Sequence, residues 1–245
     1  MSKFSASAAV LVEAHRSGKQ IPGLPVPPEN VDDCFVIQDL VTAALGVKVG
    51  GWKAGLPEGK DPYRAPIYQS DIWSSPSPVQ QSGRTRFVVE AEIAFRFGRS
   101  LPPRDTLYDR EEVIAALESA HAAVELCETR YAAQVPYLSR LADNQSQGGF
   151  VFGPAVRDWQ NLDISKLPVA MTIDGKEVGR AIGGNPSGDP LRPVVWLANH
   201  LRNFGGVAAG AFVTTGSTTG DPAAHRNAVV SVEFEGLGKA EARFV

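Results

Sequence analysis

Apolar and polar residues alternate along positions 87–97, where the sequence is FVVEAEIAFRF. Side chains two apart on a β-strand share a face, so this alternation predicts a strand with one apolar face. The other face carries Glu90, Glu92, Ala94 and Arg96. The segment therefore places two carboxylates on the polar side of a strand that can pack against a core.

Two segments near the N-terminus have helical spacing, and a stiff proline-rich stretch (GLPVPP, 23–28) separates them. The first covers about 2–17. The second follows Asn30, a favourable N-cap with Asp33 three residues on, and ends at Gly46. We therefore expect a helical N-terminal region over 1–46 and a second, catalytic domain over 47–245.

The remaining pattern predicts short strands and two more helices. Asp109 and Glu112 match a capping box that begins a helix to about Ala120, and a buried strand is expected to start at Val124. An Asp-Gly turn at 174–175 indicates a hairpin. The other expected elements are a helix over 191–204 and strands over 169–173, 177–180, 212–215, 228–234 and 239–244. This order indicates an α+β fold with mixed or antiparallel sheet and helices at one side.

Composition excludes several classes of protein. Among 245 residues, 24 Lys and Arg face 27 Asp and Glu, a net charge of −3 that argues against a protein working by phosphate neutralisation. The 43% hydrophobic share is enough for a core. Two cysteines, Cys34 and Cys127, exclude a disulfide framework, and no apolar run approaches a membrane span. Without a secretory signal pattern, the expectation is a soluble cytoplasmic enzyme.

The acid pair is the most informative local feature. Glu90 and Glu92 lie about 7 Å apart on one strand face and repel each other unless a cation or water separates them. A hard divalent cation takes carboxylate ligands, and Glu125, in an otherwise apolar segment, is a candidate third ligand. The alternative is the solvated face of an ordinary strand, with Arg96 pairing the acids and Glu125 in a salt bridge.

Three other segments carry candidate chemistry. Lys53, between glycines and beside Trp52, would transfer protons if its pKa were lowered; otherwise it is a surface lysine in a turn. Asp143 and Asn144 would bind a ligand or form a turn that satisfies its own backbone. The GSTTG loop at 216–220 offers hydroxyls and backbone donors, with Ser217 as a substrate-binding candidate.

The histidines show no metal spacing. His121 and His200 fall in predicted helices and are expected to be packing residues, while His225 is in a loop from which it could approach a site. Phosphate-loop, dinucleotide and nucleophile-elbow patterns are absent from the sequence.

Taken together, these motifs resemble the 2-keto-4-pentenoate hydratase and 4-oxalocrotonate decarboxylase family, within the fumarylacetoacetate hydrolase superfamily. The resemblance runs from about Asp33 to the C-terminus. The segments that carry it, in order, are GWKAGL (51–56), VEAEIAF (89–95), VEL (124–126) through Arg130, LADN (141–144), VWLAN (195–199) and GLG (236–238).

The resemblance implies a mixed β-roll, barrel-like sheet with flanking helices. It implies Mg²⁺ or Mn²⁺ held by Glu90, Glu92 and Glu125, with Lys53 as the active-site lysine. It also implies a homo-oligomer and allows a complex with a related pathway enzyme. The residues that it places at the substrate pocket are Arg130, Asp143 and Asn144.

The implied activity is addition of water to a 2-hydroxy-2,4-dienoate in aromatic catabolism. Decarboxylation of a 2-oxo-3-enedioate and C–C hydrolysis of an acylpyruvate use the same electron sink and stay open. Ile67 stands where hydratases often carry an acid, and the segment Pro66-Ile67-Tyr68 is closer to the decarboxylase branch. A non-catalytic β-roll that binds a metabolite or a partner enzyme is disfavoured, because the acid trio and Lys53 are intact.

Overall fold

The computed structural model describes residues 2–80 and 87–245. The helices are α1 Ser5–Ser17, α2 Val31–Leu45, α3 Arg110–Ala116, α4 Tyr137–Ala142 and α5 Leu191–Leu201. The strands are β1 Val49–Gly55, β2 Tyr63–Tyr68, β3 Ile72–Ser74, β4 Ser77–Val79, β5 Phe87–Phe97, β6 Leu117–Cys127, β7 Gln147–Phe152, β8 Pro168–Ile173, β9 Lys176–Ile182, β10 Phe212–Thr214, β11 Ala223–Ala224, β12 Val229–Phe234 and β13 Gly238–Phe244.

Two mixed sheets form the body of the molecule. The larger has the order β2-β1-β10-β5-β6-β7-β3, with β11 added on β5, and the smaller has the order β4-β13-β12-β8-β9. Parallel pairs join β1 to β10, β3 to β7 and β4 to β13, while the other pairs are antiparallel. The predicted α+β class is confirmed. Within the described residues both sheets end in edge strands and form no closed barrel.

The two faces of the larger sheet have different roles. Val89, Ala91 and Ile93 of β5 belong to the main apolar core, together with Val230 and Val232 of the smaller sheet. Glu90 and Glu92 alternate with them and therefore lie on the opposite face. The hydrophobic effect holds the sheets together on one face. The other face carries the glutamates beside a smaller apolar cluster.

The N-terminal helices pack on the sheet-rich part of the chain. Asn30 caps α2 by accepting a hydrogen bond from the Asp33 amide at 2.9 Å, whereas the Asp33 carboxylate accepts from the amide of Glu29. The apolar core of α1 and α2 includes Leu141 and Ala142 of α4. The domain boundary between 46 and 47 stays a prediction.

The helix predicted to reach Ala120 is too long. Its capping box is present, since Asp109 accepts from the Glu112 amide and Glu112 accepts from the Asp109 amide, but α3 ends at Ala116. The chain then enters β6, whose pairing with β5 extends from 117 to 127. His121 consequently lies on a strand and not on a helix. Long-range pairing overrides the helix propensity of this alanine-rich segment.

The other predicted elements differ mainly at their ends. Helix α5 stops at Leu201 instead of 204, and the hairpin at 174–175 joins β8 and β9 as predicted. Among the described residues, helices are too short or too polar to traverse a lipid bilayer.

Candidate active site

Three glutamates meet on the polar face of the larger sheet. Glu90 lies opposite Glu125 in the antiparallel β5–β6 register, and Glu92 follows two residues later on the same face. Glu92 and Glu125 are each 1% exposed, and Glu90 is partly buried. Because Glu92 is buried and Arg96 pairs with Glu118 at 3.2 Å, this is not an ordinary solvated strand face, although Glu125 does form the salt bridge that this alternative expected.

Lys53 reaches the same cluster from two strands away. It lies opposite Thr214 in the β1–β10 register, and β10 pairs with β5. Its ammonium forms an ion pair with the Glu125 carboxylate and donates a hydrogen bond to the Gln145 carbonyl at 3.0 Å. Lys53 is only 4% exposed, which excludes a surface lysine in a turn.

The charges of the site perturb each other strongly. Burial by itself would lower the pKa of Lys53, but Cys127 and the three glutamates raise that pKa well above its usual value. Among the described residues Lys53 is therefore a counter-ion of the cluster, and its role in proton transfer stays a prediction. Burial raises the pKa of Glu92, and the nearby Glu125 and Glu90 carboxylates raise it further.

The donor set fits a hard divalent cation. Among the described residues, three carboxylates face one ammonium, so this part of the cluster has an excess of negative charge in a place poorly reached by water. Carboxylate oxygens are the ligands that Mg²⁺ and Mn²⁺ prefer. One ligand atom each from Glu90, Glu125 and Cys127 lie within 4.8 Å of one another. Glu92 lies two residues after Glu90 on the same strand, and its Oε2 accepts a hydrogen bond from the Gly216 amide at 2.6 Å.

Arg130 and Asp143 form a buried ion pair beside the cluster. Each is 1% exposed. The guanidinium pairs with the Asp143 carboxylate and donates to the carbonyls of Asp143 and Gln147 at 2.7 and 2.6 Å. The Asp143 carboxylate also accepts from the Arg130 amide at 2.9 Å. These contacts hold the segment that leads from α4 to β7, and direct binding of substrate by either residue stays a prediction.

That segment contains three consecutive residues in the left-handed region. Asn144, Gln145 and Ser146 have φ values of 49°, 52° and 58°. Such backbone costs free energy in residues that carry side chains, and the surrounding contacts must hold it. The Ser146 carbonyl accepts from the Glu128 amide at 2.7 Å, and the Gln145 carbonyl is thereby directed at Lys53.

The Asn144 side chain faces inward. Its amide donates to the Tyr68 hydroxyl at 2.9 Å, and its buried Oδ1 accepts no hydrogen bond among the described residues. A buried oxygen with no hydrogen-bond donor among the described residues is compatible with the predicted contact between Asn144 and a ligand. Ser217 lies beside Gly216, but its hydroxyl donates to the Gly220 carbonyl at 2.7 Å. Its role as a substrate contact also stays a prediction.

Sequence reasoning missed two residues of the cluster. The Thr214 hydroxyl donates to Glu125 Oε2 at 3.2 Å, and Cys127 Sγ lies 3.9 Å from the Lys53 ammonium. The alternation along β6 could have found Cys127, because it is two residues beyond Glu125. Thr214 belongs to β10, which is far from Glu125 along the chain. Only the pairing of the strands shows that it lies next to Glu125.

Ile67 and the histidines do not add polar groups to this cluster. Ile67 is buried in an apolar group with Phe150 and Phe212 on the same sheet face. His121 bonds Ser119 and the Gly153 carbonyl, as a packing residue should. His225 is exposed, and its Nε2 pairs with Asp174 at 2.8 Å.

Comparisons with known proteins agree with this arrangement. Residues 58–245 match the family described as fumarylacetoacetate (FAA) hydrolase C-terminal. The chain is 29% identical to 2-keto-4-pentenoate hydratase of Paraburkholderia xenovorans (strain LB400), over 97% of this chain and 93% of that one. It is 31% identical to 2-hydroxyhexa-2,4-dienoate hydratase of Comamonas testosteroni, over 96% of this chain and 94% of that one.

A solved structure has the same fold over nearly its whole length. This is 4-oxalocrotonate decarboxylase from Pseudomonas putida G7, complexed with magnesium and adipate, with a TM-score of 0.84 and 25% identity. The match covers 99% of this chain and 97% of that chain. Because the family match includes most of the chain and all three glutamates, the resemblance inferred from the sequence motifs is confirmed, and the chain belongs to the fumarylacetoacetate hydrolase family.

Proposed function

We propose that the chain is a divalent-metal-dependent hydratase. It adds water to a 2-hydroxy-2,4-dienoate, or to its 2-oxo tautomer, and gives a 4-hydroxy-2-oxo acid in the meta-cleavage catabolism of aromatic compounds. One observation carries this proposal: Glu90, Glu92 and Glu125 meet Lys53 on one sheet face. The likeness to hydratases over almost the full chain supports it.

Glu90, Glu92 and Glu125 would hold the cation. When bound, a divalent ion supplies Lewis-acid polarisation of the substrate carboxylate and C2 oxygen. Mg²⁺ and Mn²⁺ are the proposed ions because all three side chains offer oxygen donors. A structural neighbour, the decarboxylase from Pseudomonas putida G7, is complexed with magnesium in one structure and with calcium in another.

Lys53 is the proposed proton carrier. Its ammonium is held by Glu125 and by the Gln145 carbonyl, so its position is determined before substrate arrives. It would assist transfer of the proton from the C2 hydroxyl to the far end of the diene, which brings the remaining double bond into conjugation with the ketone. Water then adds across that bond, with hydroxyl at C4 and hydrogen at C3.

The Arg130–Asp143 pair has a positioning role in this scheme. It holds the strained segment that presents Gln145 to Lys53. Asn144 and Ser217 are the proposed substrate contacts. A general acid or base must be within hydrogen-bond reach of the proton that it moves. The rigidity of this segment therefore supports proton transfer by Lys53.

Decarboxylation is the second candidate. The structural likeness to 4-oxalocrotonate decarboxylase favours it, as does the apolar Ile67 at a position where hydratases often carry an acid. The same polarised C2 oxygen would accept the electron pair released as carbon dioxide leaves.

Incubation of the purified protein with Mg²⁺ or Mn²⁺ separates these reactions. Hydroxypentadienoate and oxalocrotonate are offered in parallel, and products are identified by mass. Gain of water by the first substrate is the expected result, and loss of carbon dioxide from the second would favour the decarboxylase. A chelator-treated sample is the control. Absence of turnover with both substrates would reject both functions.

Assembly and location are also proposed. We expect a homo-oligomer, with a complex with a related pathway enzyme as a further possibility, and light scattering after size exclusion measures both. The cytoplasmic location expected from the sequence likewise remains a prediction.

A further inference from the structure

Tyr63 is the first residue of β2 and lies beside Lys53, on the face of the larger sheet that carries the glutamates. In the β1–β2 register Lys53 is opposite Ala65 and Gly55 is opposite Tyr63, so the side chains of Lys53 and Tyr63 are diagonal neighbours on adjacent strands. Such neighbours are about 7–8 Å apart, which is within reach of aromatic and long side chains. The proposed reaction has so far given this phenol no role.

Gly55 leaves room for the hydroxyl end of the Tyr63 side chain. A β-carbon added at position 55 would lie 2.6 Å from the Tyr63 hydroxyl oxygen, and closer still to two carbons of the ring. Real β-carbons do not come so near to other atoms. The phenol therefore occupies the space that a side chain at position 55 would fill, two positions along β1 from Lys53.

The Tyr63 hydroxyl makes no hydrogen bond within the described residues, although the side chain is half-buried. Burial raises the pKa of the phenol; the Lys53 charge opposes that rise, and Glu92 and Glu125 add to it. The phenol therefore keeps its proton at neutral pH and can both donate and accept a hydrogen bond.

Three of the five tyrosines differ from Tyr63 in this respect. Tyr108 and Tyr131 donate to backbone carbonyls, and Tyr68 accepts from the Asn144 amide. A buried tyrosine hydroxyl usually finds such a partner. The Tyr63 hydroxyl is instead available to a small molecule beside Lys53, and the small second substrate of the proposed reaction is water.

We propose that the Tyr63 hydroxyl holds the water molecule that adds to C4 of the substrate. The water donates a hydrogen bond to the phenol oxygen, which keeps a lone pair of the water directed at C4. The water oxygen bonds to C4, and the C3–C4 π pair shifts towards the C2 carbonyl. That pair returns as C3 takes a proton from the Lys53 ammonium, which recovers one from the water. The inference rests on the proposed hydratase function and specifies how its water is held.

Tyr63→Phe should separate the two halves of the reaction, because it removes the hydroxyl and keeps the ring. With hydroxypentadienoate and Mg²⁺ in D₂O, deuterium should still enter at C5, since Lys53 still moves that proton. Gain of water should fall by at least about 100-fold, the cost of misplacing a reacting group. The conjugated 2-oxo acid without added water should therefore accumulate, which mass spectrometry and NMR detect.

Binding gives a readout that does not depend on turnover. Calorimetry is carried out with Mg²⁺ and then with 2-oxopentanoate, which has the substrate's carboxylate and C2 oxygen but no double bond to hydrate. Both affinities should be the same in Tyr63→Phe as in the wild type. A structural role of Tyr63 would weaken binding and deuterium entry together with hydration, and that result would overturn the proposal.

Gly55→Ala tests the same hydroxyl without removing it. The added methyl group would displace the end of the phenol, so hydration should fall while deuterium entry at C5 persists. Gly23→Ala is its matched control, because no atom lies within 4 Å of a β-carbon added there. Tyr137→Phe is the control for Tyr63→Phe: it removes a hydroxyl that also has no partner among the described residues, but from α4. Both controls should hydrate the substrate normally.

The outcomes separate this inference from the hydratase function. If the wild type hydrates hydroxypentadienoate and Tyr63→Phe does so equally well, the inference is rejected and the function stands. Should Tyr63→Phe fail to fold, undiminished hydration by Gly55→Ala would reject the inference in the same way. A wild-type protein that does not hydrate this substrate would reject the function, and the inference with it.

Discussion

At the scale of single residues, hydrogen bonds hold several like-charged carboxylates close together in the site. Glu125 accepts from Thr214 and pairs with Lys53, and Glu92 accepts from the Gly216 amide. Burial and mutual repulsion raise the pKa of Glu92, which means that the carboxylate form is disfavoured until a further positive charge arrives. A divalent ion would relieve this repulsion.

Glu92→Gln should weaken Mg²⁺ or Mn²⁺ binding and lower turnover together. The glutamine oxygen can still accept from the Gly216 amide, so the fold is kept while a charged ligand is lost. We expect a loss of metal affinity at least in the 10- to 100-fold range that outer-shell changes produce, measured by calorimetry. Glu118→Gln is the matched control, because Glu118 is on the same strand as Glu125 but pairs with Arg96. Unchanged affinity in Glu92→Gln would reject the ligand assignment.

At the scale of elements, the connection between α4 and β7 carries the strain of the site. Three left-handed residues in a row are held by Arg130, whose guanidinium is committed to Asp143 and to two backbone carbonyls. The pair is buried, so its partners cannot be replaced by water. The strain is therefore maintained by this ion pair together with the hydrogen bonds of Glu128 to the Ser146 carbonyl and of Asn144 to the Tyr68 hydroxyl.

Asp143→Asn should destabilise the protein markedly, because it leaves the Arg130 charge buried without a partner. Breaking a buried pair in this way costs about 3–5 kcal/mol of unfolding free energy. Urea denaturation followed by circular dichroism measures the change. Asp163→Asn is the control, since Asp163 pairs with Lys166 in an exposed position and its loss should have little effect. Equal stability of the two variants would argue against a stabilising role of the buried Arg130–Asp143 ion pair.

At the scale of the whole molecule, the helical layer meets the larger sheet around Arg64 of β2. Its guanidinium lies over the ring of Phe35 in α2 and donates to Gln38 at 3.1 Å. His200 of α5 contacts Phe35 edge-on and stacks on Trp196. This junction ties both helices to the strand next to the one that carries Lys53.

The junction should make stability depend on pH. Burial and the Arg64 guanidinium lower the pKa of His200 to about 4, whereas the unfolded residue titrates near about 6.5. Between these values the unfolded chain binds the extra proton, so stability is complete above pH 6.5 and falls as the pH falls towards 4. His200→Phe keeps an aromatic ring but removes the titration. Its loss of thermal stability between pH 7.5 and 5 should be smaller than that of the wild type, and an equal loss would contradict the assignment.

Local signals were sufficient for several parts of the structure. The alternation over β5 predicted its strand and its two faces, Asn30 and the Asp109–Glu112 box predicted helix starts, and the turn at 174–175 predicted a hairpin. The acid pair of the candidate site was also visible in the alternation, although its spacing left a solvated strand face open and the family resemblance was needed to favour a metal site. These features depend on neighbours in sequence.

Tertiary structure decided what the local pattern left open. The segment 117–127 is a strand because it pairs along β5, although its composition allows a helix. Lys53 and Thr214 reach the glutamates only because β10 lies between β1 and β5. The sequence determined which charged residues are present. The order of the strands determined which of them meet in the buried site, because sheet registers join residues that are far apart along the chain.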